Sequence, residues 1–273
     1  MSRSFDHLVL TVDDLDVAAA FYARLGFTLT PRARHPFGTD NRLAQLQGCF
    51  LELLAVARPD DIAVPGPGAV SFGAYTRDFL AGGQGMGMMV LRTTDAAADR
   101  DDFKAAGLDT YEMFEFSRQA GLPDGTEATV GFTLAFASVP GLPEALAFTC
   151  QQWRPDLFWK PEYQRHANGA ATIDEVFLVT DDRAPAERLR DGLDLDQVGG
   201  KLTILTPDAF GQRFPGTAGR PGRFGGFRVA VDDLEAVRTC MAENDIPYED
   251  AADSLWVAPE HGFGCVIEFG EPS

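Results

Sequence analysis

The stretch Phe5-Asp-His-Leu-Val-Leu-Thr-Val12-Asp-Asp14-Leu-Asp-Val-Ala-Ala-Ala-Phe-Tyr-Ala-Arg-Leu25-Gly26 decides the fold. Its first eight residues are rich in β-formers and alternate faces, which predicts a strand. Asp14 then stands where a helix N-cap belongs. Leu15, Ala18, Ala19, Tyr22 and Leu25 follow at helical spacing, and Gly26 sits where a left-handed residue ends a helix. Phe27 opens the next extended run.

This strand–Asp–helix pattern returns three times. Gly87–Thr94 leads to Asp95 and a helix that ends at Gly107. Ile173–Thr180 leads to Asp182 and a helix expected to end at Gly192. Gly226–Val231 leads to Asp233 and a helix expected to end at Asp245. The cap-to-stop spacing is the same in the first, second and fourth copies, and shorter in the third. Further strands are expected after each helix, clearly so in copies one, two and four. After the third, only 201–206 reads as a strand. A unit of strand, helix and following strands leaves one sheet face bare, so units must pair. The expected architecture is α+β: four βαβββ-type modules paired into two domains, 1–168 and a shorter 169–273.

The chain has 273 residues and 45% hydrophobic content, enough for a sizeable core. Its formal charge of −18 repels phosphate backbones and anionic lipid, so nucleic acid and membrane are not expected partners. No apolar run approaches a membrane span. The N-terminus has no signal-peptide pattern. Cys49, Cys150, Cys240 and Cys265 form no CxxC pair. Free thiols in apolar surroundings fit a reducing, cytoplasmic setting. Gly82–Gly87 is glycine-rich but precedes a strand, so it does not read as a phosphate cradle.

These motifs resemble the vicinal-oxygen-chelate superfamily. Pro259-Glu-His-Gly262, before a strand bearing Glu268, is similar to that superfamily's Pro-x-x-Gly turn. Phe5-Asp-His7, Arg34-His-Pro-Phe-Gly38-Thr-Asp-Asn41, Phe50-Leu-Glu52, Trp159-Lys-Pro161 and His166-Ala-Asn168 look like its glyoxalase-like subgroup. The resemblance implies a small-molecule pocket and metal positions on the first and last strand of each unit. His7 and Glu52 occupy such positions, with Gln151 of unit two as the third candidate for Zn, Mn, Fe or Ni. The other units match poorly: Gly87 or Met88, Glu175 and Gly226 stand on their first strands. His35 and Asn41, in a Pro/Gly loop, and His166 are the catalytic candidates, suited to orienting a carbonyl. Phe72, Trp159, His166 and Asn168 are candidate ligand contacts.

Two functions follow from these residues. One is a metal-dependent lyase, isomerase or dioxygenase acting on a small oxygenated molecule. The other is a metal-free protein that binds or sequesters a hydrophobic small molecule, favoured by the aromatics between Trp153 and Tyr163 and by the incomplete ligand set. A second copy of the chain is a candidate partner. The N-terminal pair is expected to carry the function, and Glu175 and Glu268 to be solvated near strand ends.

Overall fold

All four predicted aspartates cap helices. Asp14, Asp95, Asp182 and Asp233 each accept a hydrogen bond from a backbone N–H of the first helical turn, satisfying donors that a helix start leaves free. In the computed structural model, which describes residues 3–121, 127–195 and 200–272, each capped helix follows directly on a strand. Module one is β1 (Phe5–Thr11), α1 (Leu15–Arg24), β2 (Ala33–Arg34), β3 (Thr39–Gln45) and β4 (Phe50–Val56). A helix not foreseen from the sequence, α2 (Phe72–Ala81), links it to module two. That module is β5 (Gly85–Thr93), α3 (Ala96–Ala105), β6 (Asp109–Thr110), β7 (Phe114–Gly121), β8 (Glu127–Ser138) and β9 (Leu146–Gln152). The short α4 (Pro155–Phe158) follows.

Module three is β10 (Ala170–Val179), α5 (Arg183–Leu193), β11 (Lys201–Leu205) and then a helix, α6 (Pro207–Arg213). Module four is β12 (Arg223–Val231), α7 (Leu234–Glu243), β13 (Glu249–Asp250), β14 (Ser254–Val257) and β15 (Val266–Gly270). The third helix is not shorter than the others. It continues past Gly192, and the left-handed residue is Asp194, at φ 47°. The cap-to-stop spacing is therefore the same in all four modules, because aspartate tolerates the conformation that glycine supplies at Gly26 and Gly107.

Modules one and two pair through antiparallel β1 and β5, flanked by the parallel pairs β1–β4 and β5–β9. Modules three and four pair in the same way through β10 and β12, flanked by β10–β11 and β12–β15. Pairing of Phe224 on β12 with Met86 on β5 makes the two sheets continuous, and the isolated bridges Arg3–Leu195 and Glu144–Arg223 add to the join. The helices cover one face of each sheet. Phe21 and Tyr22 of α1, Phe103 of α3, Leu189 of α5 and Met241 of α7 all belong to one continuous apolar core. Two smaller clusters occupy the opposite, concave faces. On the C-terminal side α6 fills that concavity, packing Phe210 and Phe214 against Phe177 and Trp256. Among the described residues, no helix is long and apolar enough to cross a membrane.

Candidate functional site

Strand alternation sorts the N-terminal sheet. On β4, Leu51, Leu53 and Ala55 face the helices, which leaves Phe50 and Glu52 to line the concave side. On β1 the alternation is interrupted. The ladder with β5 shifts register between Phe5 and His7, so Phe5 joins the helix-side core while His7 enters the concavity. Such an irregularity re-aims side chains. It lets neighbouring Asp6 and His7 meet: His7 Nδ1 lies 2.6 Å from Asp6 Oδ1, with both residues buried. Gln152 Nε2 donates to the other Asp6 oxygen at 3.2 Å.

From His7 a polar chain runs across the concave floor. His7 Nε2 is 3.5 Å from Glu52 Oε2. Asn41 Nδ2 donates to Glu52 Oε1 at 2.5 Å and also lies 3.2 Å from His35 Nε2. His35 Nδ1 reaches Thr39 Oγ1 at 2.9 Å. This network assigns the proton of His35 to Nδ1, with Nε2 accepting from Asn41. Burial pushes His35 down to about 4, against the opposing pull of Glu52, and Arg118 lowers it further. His35 is therefore neutral at pH 7, with both ring nitrogens engaged. Asn41 Oδ1 is buried without a protein partner.

Around this floor stand Phe37, Phe50, Phe72, Phe116, Phe132 and Phe148, lining an inner chamber of about 40 Å³. Phe50 stacks flat on the His7 ring, centroids 4.2 Å apart. The chamber shares His35, Asn41, Leu43, Arg118 and Phe158 with an outer cleft of about 700 Å³.

The sequence candidates thus separate. His7, Glu52, His35, Asn41 and Phe72 meet at the chamber. Gln151 does not: it lies one residue out of phase with Phe148 and Cys150, and its Oε1 accepts the Ala96 N–H at the start of α3. His166 stands outside the lining of chamber and cleft and clamps a loop. Its Nδ1 accepts from Thr28 N at 3.0 Å, which leaves Nε2 to donate to Gln45 O at 2.8 Å. Asn168 is likewise committed, donating to Leu25 O and accepting from Ala170 N. Trp159 packs behind the wall on Phe50 and Phe158. The sequence reading missed Asp6, whose place depends on the register shift. It also missed Arg118, a charged residue on the alternating strand β7 that reads as solvated.

The register shows how far the site suits a metal. The residue seven positions before each N-cap is His7, Met88, Glu175 or Gly226. The position two residues farther along pairs, on the last strand of its module, with Glu52, Phe148, Thr203 or Glu268. The N-terminal pair therefore offers His7 and Glu52 opposite Met88 and Phe148. Nearby Cys150 is buried, and burial pushes its thiol well above its ordinary range. A catalytic metal site takes about three protein ligands. Among the described residues no group of three or more His, Cys, Asp or Glu side chains is placed to hold a metal ion. The donor set does not fit.

The matching focus in the C-terminal pair is occupied by the chain itself. Arg213 Nη2 lies 2.8 Å from Glu175 Oε2 and 2.8 Å from Glu268 Oε2, its guanidinium 4.3 Å above the Phe177 ring. Thr203 donates to Glu175, and Lys201 Nζ stands 3.2 Å from it. Burial alone would raise Glu175, but the Arg213 and Thr203 hydrogen bonds outweigh it and hold the carboxyl below its ordinary range. Both glutamates are buried and paired, not solvated near strand ends as the sequence suggested.

Residues 5–193 match the sequence family described as a glyoxalase-like domain. No curated protein matches the chain significantly by sequence. Among solved structures, the chain is similar to a hypothetical protein from Staphylococcus aureus, at 14% identity and TM-score 0.67, covering 99% of this chain and 100% of that one. It is also similar to a variant of 4-hydroxymandelate synthase from Streptomyces coelicolor, at 12% identity and TM-score 0.55, covering 100% and 95%. A fusion of a xylose isomerase-like TIM barrel with 4-hydroxyphenylpyruvate dioxygenase aligns at 13% identity and TM-score 0.56, covering 100% of this chain and 49% of that one. These likenesses establish the shared vicinal-oxygen-chelate fold.

Proposed function

Because the chain belongs to the glyoxalase-like domain family, we propose that its N-terminal half, 1–168, binds a small oxygen-bearing organic molecule and moves a proton on it without a protein-built metal centre. The observation that carries this reading is the buried run Asp6–His7–Glu52–Asn41–His35 on the floor of an aromatic chamber. Asp6 accepts from His7 Nδ1, which leaves Nε2 as the basic nitrogen. Asn41 holds one oxygen of Glu52 and leaves the other turned to His7. Two proton acceptors 3.5 Å apart in an apolar cavity suit abstraction and return of a proton beside a carbonyl. His35 is a positioning residue, fixing Asn41. The C-terminal half, 169–273, supports the fold, its own concavity filled by α6. Four free cysteines, three of them buried, favour a reducing compartment such as the cytoplasm.

Solvent-proton exchange of phenylacetone in D2O, followed by NMR, tests the reading. The protein should accelerate exchange, EDTA should not alter the rate, and Glu52→Gln should lower it about a hundredfold. His7→Asn should act in the same direction. Exchange that needs an added divalent ion, or that ignores both substitutions, would overturn the proposal. The apolar wall of Met88 and Phe148 favours a second reading, sequestration without chemistry, for which phenylacetone would bind but its exchange would stay at the uncatalysed rate.

A further inference from the structure

The outer cleft has a charge opposite to that of the protein. The chain carries 41 acidic and 23 basic residues. Yet Arg32, Arg34, Arg58, Arg118 and Lys160 all line this one cleft, and Asp61 is the only carboxylate among its lining residues. Two of the five cations are neutralised within the fold. Arg58 bonds Asp40 at 2.6 Å and Asp61 at 2.9 Å, and Arg32 reaches Asp16 at 2.8 Å. For Arg34, Arg118 and Lys160 no carboxylate stands within ion-pair distance among the described residues, and Glu52 attracts Arg118 only from farther off.

Arg118 is the most informative of the three. It is half-buried at the throat, lining both chamber and cleft. Burial lowers its pKa, and the attraction of Glu52 offsets this only in part. A guanidinium removed from water without an ion pair costs free energy that a bound anion recovers. On a surface this acidic, a patch of uncompensated cations focuses anions toward one opening. Behind that opening the walls are phenylalanine, and the buried Asn41 Oδ1 still lacks a hydrogen-bond donor.

We infer that the ligand is an amphipathic organic acid, with its apolar or aromatic body in the outer cleft against Leu43, Val130 and Phe158 at the mouth of the inner chamber, and an acid group held at the throat by Arg118, assisted by Lys160 and Arg34. A hydroxyl on the body that donates to Asn41 Oδ1 completes the floor. The inference rests on the pocket proposed above and adds the ligand's charge and orientation.

Phenylacetate and phenylacetamide, matched in shape and differing in charge, separate the two levels of the argument. Calorimetry on the full chain should show phenylacetate binding about tenfold or more tightly than the amide, as a charge-assisted contact requires. Added salt should weaken only the acid. Arg118→Gln should bring the two affinities together, and Arg34→Gln with Lys160→Gln should narrow the gap by weakening the acid more than the amide. If acid and amide bind equally and Arg118→Gln changes neither, the inferred acid group is wrong while the pocket stands. If neither binds at millimolar concentration, the inference falls together with the pocket reading. Acid binding that survives Arg118→Gln combined with Arg34→Gln and Lys160→Gln lies elsewhere on the surface and also overturns it.

Discussion

Replacing Arg213 with alanine should destabilise the protein by about 3 kcal/mol, the scale for removing one partner from a largely buried ion pair, reduced somewhat because Arg213 is partly exposed. The substitution leaves Glu175 and Glu268 facing each other in an apolar concavity with no guanidinium between them. Lys201 compensates weakly, since it is exposed and reaches only Glu175. Arg213→Met should lose less, because its stem still covers the Phe177 ring. Adding Glu175→Gln and Glu268→Gln to Arg213→Met should recover much of the loss, since an apolar replacement of a buried ionic set is often neutral. Urea unfolding at pH 7.5 measures all of these. An Arg213→Ala loss below 1 kcal/mol would show that the glutamates are solvated after all.

The second large effect is a loss of stability in acid that runs through His35. Its folded pKa is about 4, against 6.5 for the free side chain, because burial disfavours the charged ring. Between these values the unfolded chain binds more protons than the folded one, so stability rises with pH across that window. The contribution is complete above pH 6.5 and drains away as pH falls toward 4. By pH 4.5 the loss from this group is about 2–3 kcal/mol. His35→Gln removes the titration and keeps polar groups for Thr39 and Asn41. Its stability is expected to fall less steeply than wild type between pH 6.5 and 4.5 in urea melts. Parallel pH profiles for the two proteins would show that His35 is protonated without cost.

Much of the architecture was legible because capping is local chemistry. An aspartate twelve residues before a left-handed stop needs no tertiary information to be recognised. Among the four helix stops the misreading at Gly192 came from preferring glycine where Asp194 takes the left-handed turn. His7 and Glu52 stood out as polar residues in apolar strands, which are costly unless partnered. Asp6 was hidden, because strict alternation places it on the opposite face from His7 and only the register shift brings them together. Gln151 was misplaced by one residue. In Thr149-Cys150-Gln151-Gln152 neither face is uniformly apolar, so the pattern does not fix which side chains turn inward. His166 and Asn168 clamp loops through backbone groups distant in sequence, contacts that a sequence pattern does not reveal. After 201–206 the sequence of module three showed no further strand; α6 stands there instead, and with it comes the guanidinium that closes the second concavity.

The shared helix-side core sets an order of events in time. Phe21 of α1 packs against Phe263, Phe27 against Phe269, and Leu108 against the helix that carries Gly192. The first half therefore rests on residues near the last turn of the chain. At ~5–20 residues per second, a ribosome needs about 5–20 s to add the 105 residues from 169 to 273. For that interval, Phe21 and Phe27 lack the Phe263 and Phe269 rings that cover them in the finished fold. Rapid completion of the second half, or a chaperone that shields these side chains meanwhile, then governs how much of the nascent protein reaches its native form.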